Sequence, residues 1–315
     1  MTAVIEFAIL YISKDMEASG VFGKRSDGYS IKKIDPIVTL MPHIMPQRND
    51  AMVQLEYEID YGKLARYVVG KEQEGVKLRF MDVVIAAFVR TIAELPELNR
   101  FIINKRIYAR NTLSVSFAVL RSNGENVSDV DENTTKCYFD PHDTIYDVAD
   151  RITKVIDEAR KPDADNATMR VASALLKSPV ARPAVAFLIW MDKHGIMPRS
   201  IIDASPFHTS LFMTNNTSIG VPAVHHHLYN FGSTTMFWAM GAIRRSNEIG
   251  PDGKSVRKRN LPIGITVDER VAPGRVFGML LYNMLKYLSN PALLEQPPEE
   301  VKPDQGHIAR LPKDL

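Results

Sequence analysis

Val267-Asp268-Glu269-Arg270-Val271-Ala272-Pro273-Gly274 is the stretch on which the reading of this 315-residue chain turns. It follows an apolar run of strand length, Leu261–Val267, and precedes a helical pattern that begins at Arg275. The segment therefore closes a strand and opens a helix near the C-terminus. In that helix, Arg275–Ser289, Val276, Leu280, Met284 and Leu288 recur beside Phe277, Leu281 and Leu285 as a core-facing stripe.

Working outward, Met52–Ile59 alternates strictly, with Val53, Leu55, Tyr57 and Ile59 on one face and Gln54, Glu56 and Glu58 on the other. A period of two marks a half-buried strand. Asp60 is placed to cap a helix over Tyr61–Gly70. Met81–Glu94 reads as a central helix, apolar on most faces, that stops at Leu95-Pro96. Short strands at Phe101–Ile103 and Ile107–Ala109 flank Asn104-Lys105, a hairpin turn. Strands follow at Leu113–Leu120 and Lys136–Phe139, then an amphipathic helix over Asp143–Arg160. Helices near Met169–Leu176 and Pro183–Lys193 lead back to strands at Ser210–Asn215, Thr235–Ile243 and Leu261–Val267. This order lacks strict βαβ alternation and predicts a mixed sheet with covering helices.

Composition narrows the class. Lys plus Arg exceeds Asp plus Glu by 39 − 37 = 2, which gives no basic footprint for nucleic acid. The basic run Lys254–Arg259 reads as a solvated turn beside Gly250, Pro251 and Gly253. One cysteine, Cys137, allows no internal disulfide and fits a reducing cytoplasm; its strand position predicts a buried, inert thiol. The apolar arm Ala3–Ile12 is about half the roughly 20 residues that span a bilayer, and it is expected to dock on the body or on a neighbouring subunit. The chain divides into this arm (1–24), one domain (25–295) and a Pro-rich tail (296–315) that wraps rather than packs.

Four segments in order carry a family likeness. They are Glu56-Tyr57-Glu58-Ile59-Asp60 with Leu64, Leu95-Pro96-Glu97-Leu98-Asn99, Phe212–Gly220, and the degenerate signature at Val267–Gly274. From about Asp35 to Glu295 the chain resembles the catalytic domain of the dihydrolipoyl acyltransferases of 2-oxo acid dehydrogenase complexes, and chloramphenicol acetyltransferase. Met41–Met45, Asn99–Ile102, Tyr108–Asn111, His226–Tyr229 and Asp268–Arg270 are similar to a divergent bacterial branch with Asp-Glu-Arg-x-x-Asp-Gly at the signature. The resemblance implies a chloramphenicol acetyltransferase-like two-layer α/β sandwich with a large mixed β-sheet and covering helices. It also implies acyl-CoA as co-substrate, no metal, and a trimer or multiple of three. In these families the acceptor side and the histidine side of the channel come from adjacent subunits. No lipoyl-domain sequence precedes the body, so membership of a dehydrogenase complex is not expected.

The same families carry His-x-x-x-Asp-Gly, whose histidine is the general base. Here Glu269 stands at the histidine position and Pro273 at the aspartate. Histidine suits a base because its unperturbed pKa is about 6.5, against roughly 4.3 for glutamate. Glu269 would need burial in an apolar channel to serve; otherwise it is structural, paired with Arg270 or Arg275. His225-His226-His227 is the cluster able to replace the lost base, with His226 or a neighbour in that role; as a metal site it lacks Cys, Asp or Glu at ligand spacing. A histidine bonded to backbone at a subunit contact is the alternative. By resemblance the oxyanion donor falls on Thr217 or Ser218, which can equally shape the Gly220 turn. His43 and His208, in Pro-flanked turns, read as structural. Two functions of different class follow: an acyltransferase moving an acyl group between coenzyme A and a thiol or other acceptor, or an inactive trimeric scaffold that kept the fold.

Overall fold

The protein was analysed as a computed structural model that describes residues 25–122, 130–161, 181–217, 219–249 and 252–314. The arm at Ala3–Ile12, the helix expected near Met169–Leu176, and Ser218 lie outside the described residues.

Strand β10 (Ser255–Asp268) is the axis of the larger sheet. Its last nine residues pair antiparallel with β2 (Met52–Asp60), and Ile263–Val267 pair on the other side with β8 (Met236–Met240). From β8 the sheet continues in parallel to β7 (Leu211–Asn215) and β5 (Leu113–Ser122), then antiparallel to β6 (Val130–Phe139). The order is β2-β10-β8-β7-β5-β6, with β9 (Arg244–Ile249) paired to the first half of β10. A small sheet joins β1 (Gly28–Ser30), β4 (Arg106–Arg110) and β3 (Arg100–Ile103), and Asn104 and Lys105 turn the β3–β4 hairpin at φ 49° and 63°. The mixed sheet with covering helices is thus present.

Alternation sorts the sheet's side chains into two faces. Ile265, Trp238, Met213, Val115 and Cys137 point into the core. Helices α2 (Tyr61–Gln73), α3 (Phe80–Glu94), α4 (Ile145–Arg160) and α7 (Gly274–Ser289) supply its other half. Central α3 is buried from Met81 to Ala93, and Phe88 meets the Trp238 ring edge-on at 5.3 Å. Removing a side chain of that size costs about 3–5 kcal/mol. Asp60 caps α2 by accepting from Lys63 N at 3.1 Å. Thr144, rather than Asp143, caps α4: its hydroxyl accepts from Asp147 N, and Asp147 returns a bond to Thr144 N at 2.9 Å. In α7 the row Val276, Leu280, Met284, Leu288 is buried, but Leu285 is 47% exposed, so the expected stripe is narrower than drawn.

Several expectations are corrected. Lys254–Arg259 is no turn: Ser255–Asn260 forms a hairpin with β9, which the sequence reading missed because both strands are exposed and lack apolar alternation. The strand expected over Thr235–Ile243 ends at Met240, because the backbone of Ala223 presses on Gly241; a Cβ there would sit 2.1 Å from Ala223 N. His43 lies in the last turn of α1 (Pro36–Ile44), a helix containing Pro42 and not anticipated. The C-terminal segment, expected to wrap rather than pack, is tied to the body: Lys302 N donates to Ala93 O, Arg100 grips the buried Asp304 at 2.6 and 2.8 Å, and Arg310 N donates to Asn111 O. Cys137 is buried, and burial pushes its thiol up to about 12.

Candidate active site

The face of the sheet away from the core carries a cross-strand row. Register aligns Gln54, Thr266, Phe237, Phe212, Ser116 and Lys136, one from each strand in turn. The Phe212 and Phe237 rings stack at 4.9 Å, and the His226 imidazole lies flat on Phe237 at 4.0 Å and 9°. Thr266 and Ser116 flank these rings, both wholly buried, with hydroxyls that lack a partner among the described residues.

His226 is half-buried, whereas His225 and His227 are exposed. Its Nδ1 lies 2.7 Å from the carbonyl oxygen of His227. A carbonyl only accepts, so Nδ1 is the donor in this contact. The strip that holds His226 passes close over the sheet: a Cβ at Gly264 would fall 2.2 Å from Val224 O. Leu228 N then meets Met52 Sδ at 3.1 Å, anchoring the run at its far end.

Arg48, absent from the sequence reading, joins this strip to the degenerate signature. Its buried guanidinium donates to the carbonyls of Tyr229, Gly232 (3.1 Å) and Ile102 (3.2 Å), and its backbone N donates to Asn230 Oδ1 at 2.8 Å. Its Nε approaches Asp268 at 3.6 Å. Burial pushes the Arg48 pKa down, with Asp268 opposing. No periodicity could have flagged Arg48; the only local sign was a cation just before a strand.

Arg270 does not pair with Glu269. Its guanidinium forks onto Asp268 at 2.8 and 2.7 Å and reaches Met45 O at 2.7 Å. Glu269 is exposed and anchored through its backbone, N to Ala51 O at 3.0 Å; Pro273 is exposed at the N-cap of α7. Arg275 bonds Met279 Sδ at 3.5 Å instead. The burial required for Glu269 to act as a base is therefore not met within one chain.

Thr217 sits at the opposite end of β8. Its hydroxyl donates to Gly241 O at 3.1 Å and its N donates to Asn215 Oδ1 at 3.1 Å, so within one chain it shapes the turn. Phe237, under His226, and Gly241, whose carbonyl Thr217 bonds, are four residues apart, roughly 13 Å along extended backbone. The sequence-distant histidine run and signature share one end of the sheet, and the hydroxyl turn occupies the other.

Beyond the row lies a second polar cluster. His208 is buried, its Nδ1 2.8 Å from Ser205 Oγ and its Nε2 3.2 Å from Asp192, an ion-pair approach without hydrogen-bond alignment. Burial lowers the His208 pKa against the pull of Asp192. Although burial acts the other way, His208 and Arg25 hold Asp192 down to about 2. Arg25 bridges Asp192 and Asp27, and His208, expected from the sequence to be structural, lies in this buried network. No helix among the described residues is long and apolar enough to cross a membrane.

No protein-family model and no curated protein matches this chain. Solved structures do match in fold. The cubic core of the pyruvate dehydrogenase multienzyme complex aligns over 84% of this chain and 93% of its own, at 14% identity and TM-score 0.51. Chloramphenicol acetyltransferase aligns over 83% and 99%, at 11% identity and TM-score 0.50. A probable dihydrolipoamide acetyltransferase of Listeria monocytogenes aligns over 83% and 94%, at 14% identity and TM-score 0.50. The chain has the chloramphenicol acetyltransferase-like fold of these acyltransferases.

Proposed function

We propose that this chain is an acyltransferase that moves an acyl group between coenzyme A and a thiol or other acceptor, with its channel between subunits of a trimer or a multiple of three. The observation that supports this reading is the half-buried His226 imidazole laid flat on Phe237 at 4.0 Å beside the signature end of the sheet. Its Nδ1 contact with the His227 carbonyl at 2.7 Å orients the ring for a base and is equally the bond a structural histidine makes. His226 Nε2 takes the acceptor's proton, the acceptor attacks the thioester carbon, and the leaving sulfur recovers the proton. Thr217 or Ser218 supplies the oxyanion hydroxyl from the adjacent subunit, since within one chain Thr217 bonds Gly241, four residues along from the Phe237 on which His226 lies. Glu269 holds a place in the turn and carries no proton. The single buried Cys137 supports a cytoplasmic setting.

A second reading, a non-catalytic trimeric scaffold, is favoured by one observation: the ordinary base position is an exposed glutamate between residues locked for structure. One assay separates the two. Purified protein is incubated with a panel of acyl-CoAs and thiol or amine acceptors, and free thiol is followed. Turnover that falls about 10²–10⁴-fold in His226→Asn supports the enzyme. An intact trimer with no turnover on any pair establishes the scaffold.

A further inference from the structure

One nucleophile stands outside that machinery. Lys136 projects from β6 on the face away from the core, directly across from Ser116 of β5. Its stem keeps some exposure, but its Nζ lies under α6 (Arg199–Ala204), where it donates to Ile202 O at 2.8 Å. That carbonyl is its only hydrogen-bond acceptor among the described residues. Asp203, the carboxylate that acts most on Lys136, is already engaged by Arg199 at 2.9 and 3.1 Å and by the Tyr138 hydroxyl at 2.7 Å. Beyond that carbonyl the ammonium has only the face of the Tyr138 ring, 5.9 Å from Nζ, so a desolvated cation with three hydrogens is incompletely compensated.

We propose that Lys136 is an acyl-acceptor amine, which takes an acyl group from a thioester and holds it as an amide. The Nζ lone pair attacks the thioester carbonyl carbon; a C–N bond forms and the C–S bond breaks. The sulfur leaves as a free thiol with the proton the amine sheds. No oxidant or further reactant is required. The product is neutral, so acylation removes the uncompensated buried charge.

Ser116 supplies an independent observation. It is wholly buried, its hydroxyl has no partner among the described residues, and it faces Lys136 across the strand pair at a Cβ separation of about 4.5–5.5 Å. Such a hydroxyl can donate to the carbonyl oxygen as charge develops there. Burial acts in the same sense, against the nearby carboxylates. Burial pulls the Lys136 pKa down to about 7; Asp203 and Asp27 oppose this, and Arg110 and Arg199 reinforce it. Tyr138, whose ring lies 5.9 Å from Nζ, has its phenol pushed up by burial and by Asp203. His208, beside the Arg25–Asp192 pair, has a pKa lowered by burial, which favours its neutral form. At neutral pH a large share of Lys136 is then the free amine, whereas an ordinary lysine with pKa about 10.4 is almost all ammonium.

The inference rests on the reading of acyl-CoA as co-substrate only for its donor, and the test keeps the two apart. The full-length protein is incubated with acetyl-CoA, and separately with acetyl phosphate, from pH 6 to 10, and acetylation of each lysine is read by peptide mass spectrometry. With acetyl-CoA at pH 7.5, Lys136 is expected to react at least about tenfold faster than exposed Lys63 or Lys254, with half its rise near pH 7. Lys136→Arg keeps a cation at Ile202 O and should remove that signal alone. A Lys136 rate equal to the exposed lysines, or one that rises only above pH 9 as theirs do, overturns the proposal. So does labelling by acetyl phosphate without labelling by acetyl-CoA. Fast Lys136 acetylation without turnover on free acceptors would retain this inference and remove the acyltransferase reading.

Discussion

Arg270 lays two guanidinium nitrogens on the Asp268 carboxylate at 2.8 and 2.7 Å, while Glu269 between them faces solvent. The signature turn is thus held by its flanks, with Arg48 behind Asp268 and Met45 O at the other edge of Arg270. Its conformation does not depend on which residue occupies position 269.

Breaking that pair should therefore cost stability. Asp268→Asn or Arg270→Ala strands a buried charge and is expected to lose about 3–5 kcal/mol in denaturant unfolding. Arg270→Lys should also destabilise, because an ammonium cannot reproduce the fork and still reach Met45 O. A midpoint unchanged in all three variants would show that the pair does not hold the turn.

Position 269 should behave differently. Glu269→Gln is expected to leave acyl transfer within a few-fold, since loss of a true base costs about 10²–10⁴-fold. Glu269→His alone should not raise the rate strongly, because Pro273 supplies no carboxylate. A large loss in Glu269→Gln with the assembly intact would move the base from His226 to Glu269.

The sequence carried the helical half of this fold well. Asp60 and Leu95-Pro96 are local signals, and periodicity marked α3 and α7 because apolar burial sets it. It failed where burial was absent. β9 and the first half of β10 are solvated on both faces, so nothing apolar alternates. At the site, His226 and Glu269 could be named but not joined, because the link runs through Arg48 and three backbone carbonyls. Lys136 and Ser116 looked like ordinary strand residues. Only the pairing register brings them face to face.

Assembly can be checked directly. Ile37, Leu40 and Ile44 leave an apolar stripe on α1, at 70%, 39% and 64% exposure, and Ile219, Val221 and Val224 expose another beside the His226 strip. Light scattering is expected to give a trimer or a multiple of three. A monomer or dimer over a wide concentration range would remove the intersubunit channel.

Lys136 also sets a pH dependence. Its folded pKa of about 7 lies below the ordinary lysine value near 10.4, so between these the unfolded chain binds more protons. Stability should then rise with pH across that window, and the penalty is in full force below about 7. Lys136→Met lacks the titrating group, so its stability advantage over wild type should shrink from pH 7 to 10. Parallel stability curves would show that burial of the ammonium is not felt.

The closest test of the histidine platform uses no polar residue. Gly264 lies in β10 beneath Val224, two residues before His226, and an added Cβ would stand 2.2 Å from the Val224 carbonyl oxygen. Backbone must give way there, because the obstructing atom is no flexible side-chain end. Overpacking of this kind costs about 1–3 kcal/mol. Gly264→Ala should therefore lift the strip and tilt the imidazole off Phe237, now 4.0 Å away. The expected result is a modest fall in unfolding midpoint with a far larger loss of acyl transfer, because a base misplaced by about 1 Å can cost 10²-fold. Gly70→Ala, in α2 with no heavy atom within 4 Å of the added Cβ, serves as the control and should leave turnover unchanged. If Gly264→Ala lowers stability yet keeps full turnover, the strip is only a lid on the sheet and His226 is not the base.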